Sequence, residues 1–313
     1  MKQTTVKTVT KNAPSQSNNK LKYATIIIGT AALLFVVILL LFKVAFPWYR
    51  YSSAVSMIEK GEYAKAYETL LKIEDFDNSK ELIKNFIIVP EGKTSTASYT
   101  DSSIVTRYIY DKNGNCTKEN ITSATEGNAT IERTFDEHNN MIEKVHTHPE
   151  EGTKRETYKY TYQGDFVTEL TVTDSFGKAV TTKYTYDENG NCILEVSDES
   201  STKIAYSKSG KPTLREISTS SGNKITYKYT YDNRGNLVKE IRTNSSGNEE
   251  TTVYTYDENS LCIKKEISDL DGYMQRTTYV YDDDRFCIKE TIIDNNKSTE
   301  TVEYGKYKVF YRE

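Results

Sequence analysis

A pattern of Tyr, Asp, Gly and Asn recurs through the last two-thirds of the chain, and its clearest copy is TTKYTYDENGNCILEVSD at residues 181–198. The aromatic residue before the Asp returns about every 25 residues, a period typical of tandem repeats. These anchors are Tyr110, Phe135, Tyr162, Tyr186, Tyr206, Tyr231, Tyr256, Tyr281 and Tyr304. In repeat architectures each unit buries its apolar face only against its neighbours. The pattern predicts one continuous array instead of several independent domains.

Each unit begins with a segment in which aromatic residues alternate with Thr and Lys, as in YKYTY at residues 158–162 and 227–231. Period-2 alternation predicts a β-strand with the rings on one face and the polar groups on the other. A turn such as DENGN at residues 187–191 follows, and Asp, Gly and Asn are the residues that hairpin connections favour. A second strand such as CILEV at residues 192–196 completes the unit.

The predicted fold is therefore mostly β, with antiparallel hairpins repeated about eight times. Such an array would contain some 16 strands, and sheets of that size tend to curl or split. Run out straight at about 9.6 Å per hairpin, it would measure on the order of 75 Å. The pattern leaves open whether the sheet is an extended and twisted ribbon or curls on itself.

The N-terminal part of the chain has a different composition. Residues 1–22 carry five Lys and no acidic residue among many Ser, Thr, Asn and Gln, which predicts a disordered basic tail. The whole chain has a formal net charge of −4, and this balance argues against nucleic acid as a partner.

Residues 24–42 form a continuous apolar run without a charged side chain. At 1.5 Å per residue such a helix covers about 28 Å, roughly the hydrocarbon thickness of a bilayer, and Trp48, Tyr49 and Tyr51 suit the interface. The run predicts a single transmembrane helix within residues 23–46. A cleaved signal peptide is the alternative, but its apolar region is usually about 7–15 residues long.

Four lysines precede this run, at positions 7, 11, 20 and 22, and fewer basic residues follow it closely. The positive-inside rule then predicts a cytoplasmic N-terminus and a cell-membrane protein whose C-terminal region lies outside the cytoplasm.

Helix formers dominate the next segment, where apolar residues recur at spacings of three and four. Gly61 is expected to end the first helix, and Ser79 to cap a third helix that ends before Pro90. Residues 52–88 resemble a single tetratricopeptide-like helical hairpin. Residues 47–89 are thus a predicted short helical spacer, 90–103 a linker and 104–313 the repeat array.

The array resembles the YD-repeat family, also called RHS repeats. The motif Tyr-Asp-x-x-Gly-Asn begins at Tyr110, Tyr186 and Tyr231, and copies that lack the Gly begin at Phe135, Tyr256 and Tyr281. The resemblance implies a β-strand shell or bacterial surface protein and a link to carbohydrate binding. Shells that enclose a toxin polypeptide need a much longer array than this one.

The four Cys all lie six residues after an anchor, in a slot that Met141 and Leu237 fill in other units. A slot that accepts Cys, Met and Leu is a small apolar position. Equivalent slots would lie about 9.6 Å apart, beyond the reach of about 7 Å that a disulfide has between Cα atoms. Buried free thiols are the expectation.

Metal and catalytic sites are not predicted. His146 and His148 lie near two Glu, but no spaced partner motif supports a zinc site, and the turns lack the Gly and the final Glu of a calcium loop. No nucleophile elbow or phosphate loop occurs in the sequence. The chain is expected not to be an enzyme and to need no cofactor.

The tyrosines are the remaining functional candidates, because aromatic rows can stack on sugars or contact a protein. Most anchor rings are expected in the core, and the rings before the anchor are the candidate ligand-binding residues: Tyr158, Tyr184, Tyr227, Tyr254 and Tyr279. Two functions follow as hypotheses. One is a membrane-anchored, surface-exposed binding or adhesion module for a carbohydrate or a surface protein. The other is a structural or secretion-associated component related to YD-repeat toxin shells.

Overall fold

The computed structural model describes residues 38–39, 41–97 and 102–312 of the chain. The chain divides into two compact units, with the boundary after Ile83. The first unit is helical and the second consists of β-strands. The predicted tail at residues 1–22 lies outside the described residues.

In the helical unit, a π-helical turn at Leu41–Ala45 precedes α1 (Phe46–Glu59), α2 (Tyr63–Leu71) and α3 (Ser79–Lys84). Ala54 of α1 and Ala66 and Leu70 of α2 are fully buried, so small side chains let these helices pack closely. The chain turns at Gly61, which has a φ of 74°, as the sequence predicts. This packing forms one helical hairpin.

All but the last few positions of the predicted transmembrane segment at residues 24–42 lie outside the described ranges. Within those ranges, no helix combines the length and the apolar character needed to cross a bilayer.

The second unit contains twenty strands within the described residues. They are β1 (Phe86–Pro90), β2 (Gly92–Ala97), β3 (Ser102–Tyr110), β4 (Cys116–Ser123), β5 (Gly127–Phe135), β6 (Met141–His148), β7 (Gly152–Gln163), β8 (Phe166–Thr173), β9 (Ala179–Tyr186), β10 (Cys192–Val196), β11 (Ser200–Tyr206), β12 (Pro212–Thr219), β13 (Lys224–Tyr231), β14 (Leu237–Asn244), β15 (Glu249–Tyr256), β16 (Cys262–Asp269), β17 (Met274–Tyr281), β18 (Cys287–Asp294), β19 (Thr299–Tyr304) and β20 (Tyr307–Tyr311).

Eighteen of these strands, β2 to β19, form a closed antiparallel barrel in which consecutive strands pair and β19 pairs with β2. The seam is the pairing of β19 with β2, in which Thr301 lies opposite Thr96 and Val302 opposite Ser95. Closure answers the question that the sequence left open, and the array forms a ring, not a straight rod. A closed ring leaves no unpaired sheet edge.

The seam continues beyond the barrel. β1 pairs with β20 in a separate two-stranded sheet, and the amide of Gly305 donates to the carbonyl of Gly92 where the two sheets diverge. This sheet packs on the first YD turn, because the ring of Phe310 lies 6.0 Å from that of Tyr110. Arg312 donates from Nε to the carbonyl of Asn113, at 2.8 Å.

Two strands fall where the sequence predicts other structure. β1 occupies the end of the predicted spacer, so the third helix ends at Lys84 and not just before Pro90. β2 lies in the predicted linker. The apolar run at residues 86–89 forms a strand because it pairs with β20, which lies near the C-terminus of the chain.

Candidate functional site

The inner face of the barrel carries the residues at and before the anchors. In β13, Tyr227, Tyr229 and Tyr231 are half-buried, whereas Lys228 and Thr230 between them are exposed. Side chains on a concave sheet face are crowded and those on the convex face are not, so the less exposed set is the inner one. The same alternation holds in β7, β9, β15 and β17.

A hydrogen bond to the preceding unit holds most anchor tyrosines. Tyr256 Oη donates to the carbonyl of Leu237 at 2.8 Å, and Leu237 is the first residue of the preceding long strand. The same bond joins Tyr186 to Val167, Tyr206 to Cys192, Tyr231 to Pro212, Tyr281 to Cys262 and Tyr110 to Pro90. Burial and the nearby thiols raise the pKa of Tyr281, so its hydroxyl stays protonated. The anchor rings are therefore structural.

The last anchor differs from the expectation. Tyr307, not Tyr304, donates its hydroxyl to the carbonyl of Cys287 and so occupies the anchor position structurally. Tyr304 instead donates to Oε1 of Glu290 at 2.7 Å. Two other units also depart from the pattern. Phe135, the anchor of β5, has no hydroxyl and cannot donate this bond. In β7 the donor is Tyr160 and not the anchor Tyr162, and its hydroxyl donates to the carbonyl of Met141 at 3.0 Å.

The recurring Asp of the YD turns is also structural. Asp187 Oδ1 accepts the amides of Asn189 and Asn191 at 2.9 and 2.8 Å, and Asn191 Nδ2 donates to Asp187 Oδ2 at 2.9 Å. The hydrogen bond from the Asn191 side chain is the largest contribution that lowers the pKa of Asp187. Gly190 takes a φ of 80°, which suits Gly. The hydrogen-bonded carboxylate closes the turn.

The opposite end of the barrel uses the same five-residue turn, which the sequence pattern did not single out. Asp269 Oδ1 accepts the amides of Asp271 and Tyr273 at 3.0 and 2.8 Å. Gly272 there has a φ of 85°. The available signal was the recurrence of Gly about midway between successive YD turns, at positions 222, 247 and 272.

The structure places all five candidate ligand-binding tyrosines on the inner face. Tyr184, Tyr254 and Tyr279 lie directly opposite Glu195, Lys265 and Glu290 of the next strand. Burial, then Glu290, raises the pKa of Tyr279 to about 12.

Tyr158 and Tyr227 lie one inward-facing position further from the anchor. Tyr158 Oη donates to Glu156 Oε2 at 2.7 Å, and burial and this bond raise its pKa to about 12. The ring of Tyr227 stacks on that of Tyr229 at 6.4 Å. Tyr254 and Tyr279 come from successive hairpins, two strands apart, whereas Tyr158 lies several strands away.

A belt of charged residues on the inner face was not anticipated as a site. In each hairpin, the belt residue lies directly across from the residue two places before the anchor. These residues are charged in every hairpin but one, where the position is Leu170: Glu119, Lys144, Leu170, Glu195, Arg215, Glu240, Lys265 and Glu290. Apart from Leu170, the sign of the charge alternates around the belt. The sequence signal was a charged residue three places after the Cys slot, which resembled an ordinary solvent-facing position.

Part of the belt has partners within the protein. Arg133 Nη2 donates to Glu119 Oε1 at 2.5 Å, and Lys144 lies 3.4 Å from Glu156. Glu290 accepts the hydroxyl of Tyr304.

The four remaining charged members form what we call the inner charge arc, namely Glu195, Arg215, Glu240 and Lys265. None of them has an ion pair or side-chain hydrogen bond to another described residue, and Arg215 Nε is buried without a hydrogen-bond partner.

The four cysteines are free thiols, as expected, but they are half-buried and not fully buried. Each lies at a β-bulge and donates from Sγ to the carbonyl two residues on, at 3.6 Å in Cys116 and 3.5 Å in Cys262. Burial raises the pKa of the Cys262 thiol, so these thiols are poor nucleophiles.

His146 and His148 lie in β6 towards the end away from the YD turns, whereas His138 lies in the YD turn between β5 and β6. His148 Nε2 is 2.7 Å from the carbonyl of Glu126, and its Nδ1 accepts the amide of Glu150 at 3.2 Å. Within the described ranges no group of three or more His, Cys, Asp or Glu is placed to hold a metal ion.

No curated protein matches the chain. Among solved structures, the chain is similar to the Tc holotoxin pore of Photorhabdus luminescens, at 14% identity and a TM-score of 0.34 over 64% of this chain, and it spans only 12% of that chain. Porin-like proteins from Bacteroides uniformis and Bacteroides vulgatus match at 14% and 12% identity, with TM-scores of 0.38 and 0.34. These matches cover 69% and 68% of this chain and 96% and 97% of the porin-like chains. Likenesses at this level do not bear on function.

A family model described as Teneurin YD-shell matches residues 2–214, which is about two-thirds of the 313 residues. The YD motifs at Tyr110 and Tyr186 lie inside this match, and the same hairpin geometry continues beyond it to β19. The chain therefore belongs to the Teneurin YD-shell family.

Proposed function

We propose that the barrel is a non-catalytic shell that encloses a polypeptide segment, in a structural or secretion-associated role. The observation that carries this proposal is the seam, since the pairing of β19 with β2 turns the repeat array into a closed wall. Membership of the YD-shell family supports it.

The size of the ring supports this role. Eighteen strands spaced about 4.8 Å apart give a backbone diameter of about 28 Å, which a tilt of about 40° widens to about 36 Å. A layer of side chains of about 5 Å on each wall leaves a lumen of about 26 Å. An α-helix with its side chains is about 10–12 Å wide, so the lumen has room for a polypeptide.

The inner surface also suits a polar guest. Its middle layer combines Thr, Tyr and charged side chains, and Thr106, Thr202, Thr252 and Thr277 are among its most buried members. Barrels of this strand number hold an open lumen and not a packed apolar core. An enclosed chain would meet aromatic and polar groups on all sides.

Size-selective labelling of β9 tests the proposal. Thr182 lies on the inner face, opposite Leu170, and Thr185 is exposed on the outer face. In a chain whose four native Cys are replaced by Ser, Thr182→Cys and Thr185→Cys are each treated with N-ethylmaleimide and with a maleimide on a large polyethylene glycol. A closed shell predicts that both reagents label the outer thiol, whereas the large reagent labels the inner thiol at least tenfold more slowly relative to the small one. The same ratio of rates at both thiols would refute the shell.

A binding or adhesion module is the second proposal, favoured by Tyr254 and Tyr279, which come from successive hairpins and share the inner face. Because these rings face the lumen, a carbohydrate or protein ligand would have to enter the barrel. Glycan-array binding that is lost in Tyr254→Ala and Tyr279→Ala supports this proposal, and no binding across a broad array counts against it.

Membrane attachment through residues 24–42, with the barrel outside the cytoplasm, completes the proposal. It rests on the apolar run and on the lysines before it. Protease treatment of intact cells tests the topology. Cleavage of the barrel is expected, and a barrel that survives while a known surface protein is cut would contradict it.

A further inference from the structure

The inner charge arc lies on four alternate strands of the wall. Glu195, Arg215, Glu240 and Lys265 belong to β10, β12, β14 and β16 and alternate in sign. Each step from one member to the next crosses two strands and shifts the register by two residues, so their Cα atoms are about 12 Å apart. The four side chains make no ion pair with one another.

Charges on the outer face of the same strands behave differently. Glu216, which follows Arg215 in sequence, pairs with Lys224 at 2.6 Å. Glu266, which follows Lys265, binds Lys264 at 2.9 Å and Arg276 at 2.8 Å. The outward charges of β12 and β16 are thus paired within the protein and the inward ones are not.

The charged groups of the arc lack partners that a ligand could supply. Arg215 Nε is buried with no acceptor, and a buried donor gains when a ligand supplies one. Tyr229 lies opposite Glu240, and Tyr254 lies opposite Lys265. A carboxylate can bind Arg215, and a Lys or Arg side chain can lie between a Glu and a tyrosine ring.

Alternating charges also discriminate between ligand classes. A nucleic acid or another polyanion would meet Glu195 and Glu240, and a neutral glycan would leave all four charges without partners. A polypeptide with interspersed acidic and basic side chains can satisfy both signs at once.

We infer that the inner charge arc is a binding surface for a polypeptide segment in which acidic and basic residues alternate. This inference rests on the proposed function, because the segment must be enclosed by the shell.

The test uses the full chain and fluorescently labelled 12-residue peptides. One peptide alternates Lys and Glu with a Ser between them, and a second has the same composition with all Lys in one half and all Glu in the other. Each peptide is offered to the folded protein and is also present during refolding from urea, so that loading does not depend on entry through the barrel ends. The alternating peptide is expected to bind at least tenfold more tightly than the segregated one, and more weakly as the salt concentration rises.

Substitutions on the two faces of the wall separate the site from the fold. Glu195→Gln with Glu240→Gln is expected to weaken binding of the alternating peptide at least tenfold. Glu216→Gln with Glu266→Gln, on the outer face, is the matched control and should leave it unchanged. Arg215→Glu with Lys265→Glu makes the arc wholly acidic and should shift the preference to an all-Lys peptide.

Three results would overturn the inference: equal binding of the two peptides, equal loss in inner and outer variants, or no binding under either loading condition. The labelling of Thr182→Cys and Thr185→Cys distinguishes these from failure of the shell itself. If only the small reagent reaches the inner thiol and the peptides do not bind, the shell stands and the arc is not a binding surface.

Discussion

Tyr256 Oη donates a hydrogen bond to the carbonyl of Leu237 in the preceding hairpin, and the same bond recurs between successive hairpins around the barrel. It joins most units to the preceding one. The YD tyrosine is thus a joint between units as well as a marker of the turn.

Loss of this hydroxyl should destabilise the barrel. Tyr256→Phe leaves the carbonyl of Leu237 without its donor and is expected to lower the free energy of unfolding by about 0.5–1.5 kcal/mol. Tyr254→Phe is the matched control, since the Tyr254 hydroxyl has no hydrogen-bond partner among the described residues, and its effect should be under about 0.5 kcal/mol. Urea unfolding measures both. Equal losses in the two variants would show that the hydroxyl bond contributes nothing.

High pH should unfold the barrel. Tyr158 and Tyr279 have pKa values raised to about 12 in the folded state, against about 10 in an unfolded chain. The folded state therefore holds these protons more tightly, so their contribution to stability is full below pH 10 and is lost as the pH rises from 10 through 12. Circular dichroism and tyrosinate absorbance should report one transition in this range.

Tyr279→Phe removes one of the ionising groups and should reduce the loss of stability between pH 10 and 12. Tyr273→Phe, on an exposed turn, is its control and should leave the pH profile unchanged. A barrel whose stability stays constant to pH 12 would contradict the buried, protonated state of the inner tyrosines.

Four hairpin turns contain a non-glycine residue where Gly is favoured, at Asn139, Ser260, Arg285 and Lys297. Lys297 has a φ of 60°, and a left-handed conformation costs a non-glycine residue about 1–2 kcal/mol. Lys297→Gly removes that cost and adds about 0.4–1 kcal/mol of unfolded-state entropy, so a net stabilisation of about 0.5–1 kcal/mol is expected. Asn296→Gly in the same turn gains nothing in the folded state and should destabilise. Thermal unfolding that ranks the two variants in the opposite order would refute the strain.

The divergence of the two sheets at the seam depends on Gly92. A Cβ on this residue would lie 2.6 Å from the carbonyl oxygen of Thr106, so Gly92→Ala should cost about 1–3 kcal/mol. Gly305→Ala is the matched control across the seam, because its Cβ would lie no closer than 3.5 Å to another atom. Urea unfolding of the two variants tests this contact, and equal stability would mean that the backbone does not approach this closely.

The local structure could be predicted from the sequence more fully than the closure. Alternation in segments such as residues 227–231 identifies the strands and their ring-bearing face, and the DENGN turn identifies the hairpin, because both signals depend on neighbouring residues. β2 has the sequence GKTSTA, without a YD motif, and its partner β19 lies near the other end of the chain. No local pattern specifies such a pairing.

For the candidate site, too, the local structure could be predicted from the sequence, but the features that depend on closure of the barrel could not. Tyr184, Tyr254 and Tyr279 lie together with the anchors on one face, as period-2 alternation requires. Whether that face lines a lumen or meets bulk solvent depends on closure, and so does the setting of Arg215 and Glu240. The charge belt could not be recognised before the ring was known to close.

A cross-link over the seam tests closure most directly. Thr96→Cys and Thr301→Cys place two thiols directly opposite each other in β2 and β19, in a chain whose native Cys are replaced by Ser. Mild oxidation or a short bis-maleimide should link them within one molecule, detected as a faster-migrating monomer and as a linked peptide pair by mass spectrometry. Thr96→Cys with Thr185→Cys, on β9, should not link. An open sheet would give no intramolecular link at Thr96 and Thr301, or only links between molecules, and would contradict the closed shell.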